Sequence, residues 1–175
     1  SNACYGSCGG EFVLFKIISK MTTLELTVML LTFFIMEGVA WAAHKYLMHG
    51  FLWFLHDDHH TKTPGALEKN DTFFLIFAIP SWLCIMLGLM YGAGISVAVG
   101  AGIALYGFAY AMVHELFIHQ RIPIFKQTKS TYLEAIRLAH KMHHRHLGRE
   151  DGENFGMLWV HPKYIKQVRS LRAKS

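Results

Sequence analysis

Five histidines fall within seventeen residues, His44, His49, His56, His59 and His60, spaced HxxxxH and then HxxHH. The same two spacings return as His114 and His119, then His140, His143 and His144. Neutral imidazole is the commonest protein metal ligand, and ten of the twelve histidines lie in this twice-repeated pattern. One ion takes about four to six ligands, so ten imidazoles point to two ions. On an α-helix, residues three and four apart share a face, so an HxxHH box aims its rings into one sector of about 100°. An HxxxxH box is less regular, because five residues turn an α-helix about 140° past one full turn. Its two rings converge if the ions sit between helices, or if the helix unwinds after the first histidine.

Which metal such a shell takes is narrowed by chemistry. Imidazole suits Zn, Cu, Fe and Ni alike, but a catalytic zinc hydrolase needs only three protein ligands and an acid/base. A pair of redox-active ions able to bind O₂ between them makes better use of ten nitrogens, and iron fits that role, although zinc could replace it in a purified sample. Soluble di-iron bundles use carboxylates with Glu-x-x-His, so a nitrogen-rich shell is a separate solution. Glu37, one or two turns before His44, is read as an acceptor for the N–H of a metal-bound imidazole. His146, three residues after His143, is open to the same supporting role, although for both His146 and His161 a non-ligand reading is preferred.

The elements that must position these boxes are membrane spans. Charged residues make up 17% of the chain, against about 25% in ordinary soluble domains, and the apolar 53% is gathered into long runs. The expectation is an all-α, polytopic membrane bundle with spans at about Leu24–Ala43, Phe73–Tyr91 and Ile95–Val113, each close to the twenty residues a crossing needs. A fourth embedded helix near Thr131–His140 is left open. Pro80 should kink or break the second span. In the third span, Ser96, Gly100 and Ala104 form a small-residue stripe suited to close helix approach. Three crossings put His44 and His114 on one side of the membrane, so all four boxes share a face.

From His114 onward there are twelve Lys and Arg against five Asp and Glu, a difference of +7. Beside membrane spans, that excess marks the cytoplasmic side, and the metal site with it. It does not suggest nucleic-acid binding, for which no aromatic-basic motif is present. The expectation is therefore a multi-pass protein of the cell (inner) membrane. Residues 1–20 read as a tag or leader extension and 21–175 as one domain; Cys4 and Cys8 lie in the extension, and Cys84 lies in a span. The basic tail from Tyr164 is expected to lie on lipid headgroups. A metal transporter would need ionisable residues near the midplane of several spans, and the second and third spans have no Asp, Glu, Lys, Arg or His.

The four boxes in this order, on a short membrane chain, resemble the fatty acid hydroxylase/sterol desaturase superfamily. The segments MEGVAWAAHKYLMHG, MVHELFIHQR and LAHKMHHRH followed by NFGMLW are similar, more closely, to the bacterial β-carotene 3-hydroxylase family, from about Met21 to Tyr164. The resemblance implies a di-iron, O₂-dependent enzyme that hydroxylates C3 and C3′ of β-ionone rings, taking β-carotene through β-cryptoxanthin to zeaxanthin. It also implies that the iron ligands are His44, His49, His56, His59, His60, His114, His119, His140, His143 and His144. The carotenoid would arrive from the bilayer, past aromatic residues such as Trp41, Phe51, Trp53, Phe54, Phe155 and Trp159 that serve equally well as an interfacial belt. Electrons would come from a ferredoxin or similar donor, since no dinucleotide-binding motif follows a strand. Asp57 and Asp58 depart from the small or Glu residues of the family's second box and leave the ligands intact. The nearest alternative is related chemistry on another lipid: a fatty-acid or sterol hydroxylase or desaturase, or a carotenoid ketolase.

Overall fold

The computed structural model describes residues 20–61, 67–121 and 128–174, and among them there is helix and no strand. Helix α1 (Thr23–Ala42) opens with a capping box, in which the Thr22 hydroxyl accepts from the Glu25 N–H and the Glu25 carboxylate accepts from the Thr22 N–H. It runs without interruption into a π-helical segment, Ala43–Phe51. A 3₁₀ turn (Trp53–Leu55) and the one-turn helix α2 (Asp57–His60) carry the second box. After a second 3₁₀ turn (Lys69–Asp71), α3 spans Thr72–Tyr91. Gly92, at φ +67°, reverses the chain into α4 (Gly94–Ala111), which ends in another π-helical segment, Met112–Ile118. Helices α5 (Thr131–His143) and α6 (Pro162–Arg172) complete the order.

Three continuous helical stretches, Thr23–Phe51, Lys69–Tyr91 and Gly94–Ile118, are long and apolar enough to cross a membrane. Their outward faces agree with lipid as solvent: Phe34, Phe74, Trp82, Met90 and Phe108 are all exposed. At 13 residues, α5 is a short amphipathic helix among the described residues rather than a fourth crossing. Helix α3 runs unbroken through Pro80, so the expected break is absent.

Helix α4 lies between α1 and α3, and its small residues allow the approach. A Cβ on Gly100 would stand 2.7 Å from the Ser81 carbonyl oxygen, and one on Gly102 would stand 2.6 Å from the Met29 carbonyl oxygen. The Ser96 hydroxyl donates to the Cys84 carbonyl at 2.9 Å, and the Ser81 hydroxyl donates to the Gly100 carbonyl at 2.8 Å. Ser96 and Gly100 thus serve the contact as expected, whereas Ala104 is exposed.

The C-terminal tail, expected on lipid headgroups, packs one face against the protein. Tyr164 and Val168 of α6, with Val160 just before it, pack against Ala135, Ile136 and Ala139 of α5, all buried. Cys4, Cys8 and almost all of the N-terminal extension lie outside the described residues.

Candidate metal centre

The core at the shared end of the spans is made of imidazole, not hydrocarbon: His56, His114 and His143 are the largest fully buried side chains among the described residues. The π-helical segments explain the HxxxxH spacing. In π geometry the backbone bonds run i→i+5, so residues five apart stack where an α-helix would splay them. The His119 N–H donates to the His114 carbonyl at 2.9 Å, and the Leu52 N–H donates to the Leu47 carbonyl at 3.0 Å, both five residues apart. The first segment then leaves helical geometry at Gly50 (φ −99°, ψ −125°), which turns the chain toward the second box. After the other segment, Gln120 takes φ +53° and the Arg121 N–H reaches back to the Glu115 carbonyl at 3.0 Å, closing the helix as a Schellman turn does.

Two groups of ring nitrogens result, each with its atoms within 4.8 Å of one another. One comprises His44, His49, His56, His60 and His143; the other comprises His59, His114, His119 and His140. The His144 Nε2 lies 2.8 Å from that of His140, beside the second group. The halves of the chain are therefore interlocked. In each HxxHH box the middle histidine crosses to the other half's cluster: His59 joins histidines of the second half, and His143 joins those of the first. By the same correspondence His144 is the counterpart of His60.

In seven of the ten box histidines, a hydrogen bond at Nδ1 decides which nitrogen faces inward. His44, His49, His60 and His143 donate through Nδ1 to the carbonyls of Phe155, Arg149, His146 and Glu153, each at 3.0 Å. His56 Nδ1 meets Asn70 Oδ1 at 2.7 Å. His59 Nδ1 meets the Glu68 carboxylate at 2.8 Å, and His114 Nδ1 meets that of Glu115 at 2.5 Å. These acceptors hold the proton on Nδ1, which leaves each Nε2 with a bare lone pair. Yet the Nε2 atoms face one another, at 3.2 Å for His44–His56, His49–His143 and His59–His114, and 3.3 Å for His56–His60. Lone pairs opposed at that distance repel unless a cation lies among them. A metal–nitrogen bond of about 2.1 Å gives polyhedron edges of roughly 3.0 Å (octahedral) to 3.4 Å (tetrahedral), so the donor set fits a metal ion in each cluster.

Burial, aided by neighbouring rings, keeps these imidazoles neutral and able to ligate at neutral pH. It pushes His56 down to about 2, His60 to about 4 and His143 to about 3, and lowers His140 and His144 as well. The hydrogen bond from His59 holds the Glu68 carboxyl below its usual range.

The outer partners differ from those expected from sequence. Among the described residues, Glu37 holds backbone N–H groups and a tyrosine hydroxyl. Its Oε1 accepts the backbone N–H groups of Met157, Leu158 and Trp159 at 2.8–2.9 Å, and its Oε2 accepts the Tyr106 hydroxyl at 2.7 Å. It anchors the loop that presents the Phe155 carbonyl to His44, and so reaches the centre only through backbone. His146 contributes its carbonyl rather than its ring. Sequence reasoning missed Glu68, Asn70 and Glu115 as imidazole partners, although polar residues flanking a box are where such partners are found. It also missed Arg121, whose guanidinium meets Glu68 at 3.1 Å, Glu115 at 2.7 Å and Asp71 at 3.0 Å; with Glu115 the approach is an ion pair without hydrogen-bond alignment. Asp58 accepts the Lys69 N–H at 2.6 Å, and Asp57 lies 3.4 Å from the Lys69 ammonium, so both tie the second box to the start of α3.

Beside the first cluster, a groove of about 690 Å³ runs between α1 and the 153–159 loop, lined by Phe34, Ile35, Gly38, Trp41, Phe155 and Trp159 among others. The Phe155 ring separates it from the histidines, lying 5.1–5.4 Å from the rings of His44, His49 and His143. Trp53 instead packs on His49 and His60, while Phe51 and Phe54 are exposed.

Known proteins give this geometry its context. The Fatty acid hydroxylase family model matches residues 29–163, which hold all ten box histidines. A beta-carotene hydroxylase of Pantoea ananas is 42% identical over 127 residues, covering 73% of this chain and 72% of that protein. One from Pseudescherichia vulneris is 36% identical over 133 residues, with 76% and 75% covered. One from a Paracoccus strain is 33% identical over 132 residues, with 75% and 81% covered. No solved structure matches the chain. The match across most of its length, boxes included, makes this chain a member of the fatty acid hydroxylase family.

Proposed function

We propose that the protein is a β-carotene 3-hydroxylase, converting β-carotene through β-cryptoxanthin to zeaxanthin by hydroxylating C3 and C3′ of the β-ionone rings. The observation that carries the metal chemistry is the opposition of bare Nε2 lone pairs at 3.2–3.3 Å in both clusters. The substrate class is supported by relatives named beta-carotene hydroxylases at 33–42% identity. His44, His49, His56, His60 and His143 would hold one iron, and His59, His114, His119, His140 and His144 the other. When bound, the iron pair would supply activation of O₂ for insertion of one oxygen atom into a ring C–H bond.

The remaining work falls to the chain. The carbonyls, Asn70, Glu68 and Glu115 keep the Nδ1 protons in place, so every Nε2 they control is presented unprotonated. The groove along α1 offers an apolar rod a lateral path from the bilayer, and Phe155 at its inner end shields the histidines from water until a ring displaces it. The centre lies on the cytoplasmic side, on the argument of the basic C-terminal third. An acidic electron donor such as a ferredoxin would meet that basic surface.

Pigment analysis of a β-carotene-accumulating bacterium expressing residues 21–175, beside His140→Ala, tests the proposal. Zeaxanthin is expected only with the intact histidine. Unchanged β-carotene, with iron-loaded protein in the membrane and a competent donor supplied, overturns the carotenoid assignment and directs attention to fatty acids and sterols.

A further inference from the structure

The two clusters are alike in geometry and unlike in charge. In the first, all five Nδ1–H groups meet neutral acceptors: four carbonyls of one loop and the Asn70 amide. In the second, His59 and His114 meet carboxylates, Glu68 and Glu115. A carboxylate behind an imidazole draws the Nδ1 proton toward itself and makes Nε2 a stronger donor, and mutating such outer partners typically costs about 10–100-fold in metal affinity or activity. Arg121 bridges both carboxylates and also reaches Asp71. It holds them in register against the rings, but one positive charge among three carboxylates leaves the second cluster with the more negative surroundings.

We propose that the two sites bind metal unequally, the cluster of His59, His114, His119 and His140 being the tighter and the first to fill, with Glu68, Glu115 and Asn70 setting the order. Glu68 and Glu115 are positioning residues that act through their histidines, and Asn70 marks the weaker site. The inference rests on the reading of both clusters as metal sites.

The test is a titration of the chelator-stripped, full-length protein in detergent with Co²⁺, followed by visible absorption. The wild type should take two ions in two separate steps. Glu68→Gln keeps an amide oxygen to accept from His59 and removes only the charge. It should weaken the tighter step by about 10–100-fold and leave the weaker step where it was. Asn70→Asp should act in the opposite sense, tightening the weaker step until the two approach each other. A merely structural role would not move the two steps separately, and thermal unfolding of each variant establishes that it is folded. Two wild-type ions of equal affinity, or a Glu68→Gln variant that shifts both steps together, would overturn the inequality and leave the metal reading standing. A folded wild-type protein that takes up no cobalt overturns both.

Discussion

Seven of the ten box imidazoles commit Nδ1 to an acceptor and turn the other nitrogen inward, and burial then decides their protonation. His60 is pushed down to about 4 and His143 to about 3, against about 6.5 in an unfolded chain. The unfolded protein therefore binds more protons than the folded one between those values. The stability that goes with neutral imidazoles is fully present above pH 6.5 and is lost as the pH falls through about 4 and below. Thermal unfolding of the stripped protein, scanned from pH 7.5 to 4.5, should show a falling midpoint over this window; a flat midpoint would contradict it. At this scale the ten ring positions were legible in the spacing, because HxxHH on a helical face forces convergence. Their partners were legible only in part. Glu115 adjoins a histidine and Glu68 lies nine residues beyond another, so residue type and proximity could have flagged them. The carbonyls of His146, Arg149, Glu153 and Phe155 belong to backbone, which carries no residue-type signal at all.

Among the elements, the π segments stand out because their geometry is poorer than that of the α-helices they extend. A π turn is rare in proteins and concentrates at functional sites; here it brings His44 and His49, and His114 and His119, onto common faces. Ligation should therefore stabilise a backbone form that the chain alone holds less firmly. Hydrogen–deuterium exchange is expected to quicken over 43–51 and 112–118 when metal is stripped, while the middle of α3 stays protected. Equal protection with and without metal would show that packing alone maintains the π turns. The five-residue spacing announced a departure from α geometry but not its form. Local unwinding and a π turn satisfy the same pattern, and the choice depends on packing against α2 and α5. Likewise, the basic composition of α6 did not disclose the burial of Tyr164 and Val168 against α5.

For the molecule as a whole, three spans must bring their ends to one level with little side-chain bulk between them, and glycines on α4 set that spacing. Gly102→Val would drive Cβ to within 2.6–2.7 Å of the Met29 carbonyl and the Thr32 side chain, a clash with backbone that should cost about 1–3 kcal/mol. Gly107→Ala meets nothing within 4 Å and should be neutral or gain up to about 1 kcal/mol from helix propensity. Unfolding in detergent checks both, and equal effects would refute the packing argument. The spans and the common face of the boxes could be read from hydropathy and chain parity, whereas the exchange of His59 and His143 between halves could not. That exchange makes both clusters depend on both halves of the chain. A nascent chain that has inserted its first span and α2 carries five imidazoles but can close neither shell, since one awaits His143 and the other awaits the whole second half. If each cluster holds an ion, neither shell is complete before translation has passed α5. An ion in either cluster would then act as a clasp between early-made and late-made sequence, and losing either one would loosen both ends of the chain together.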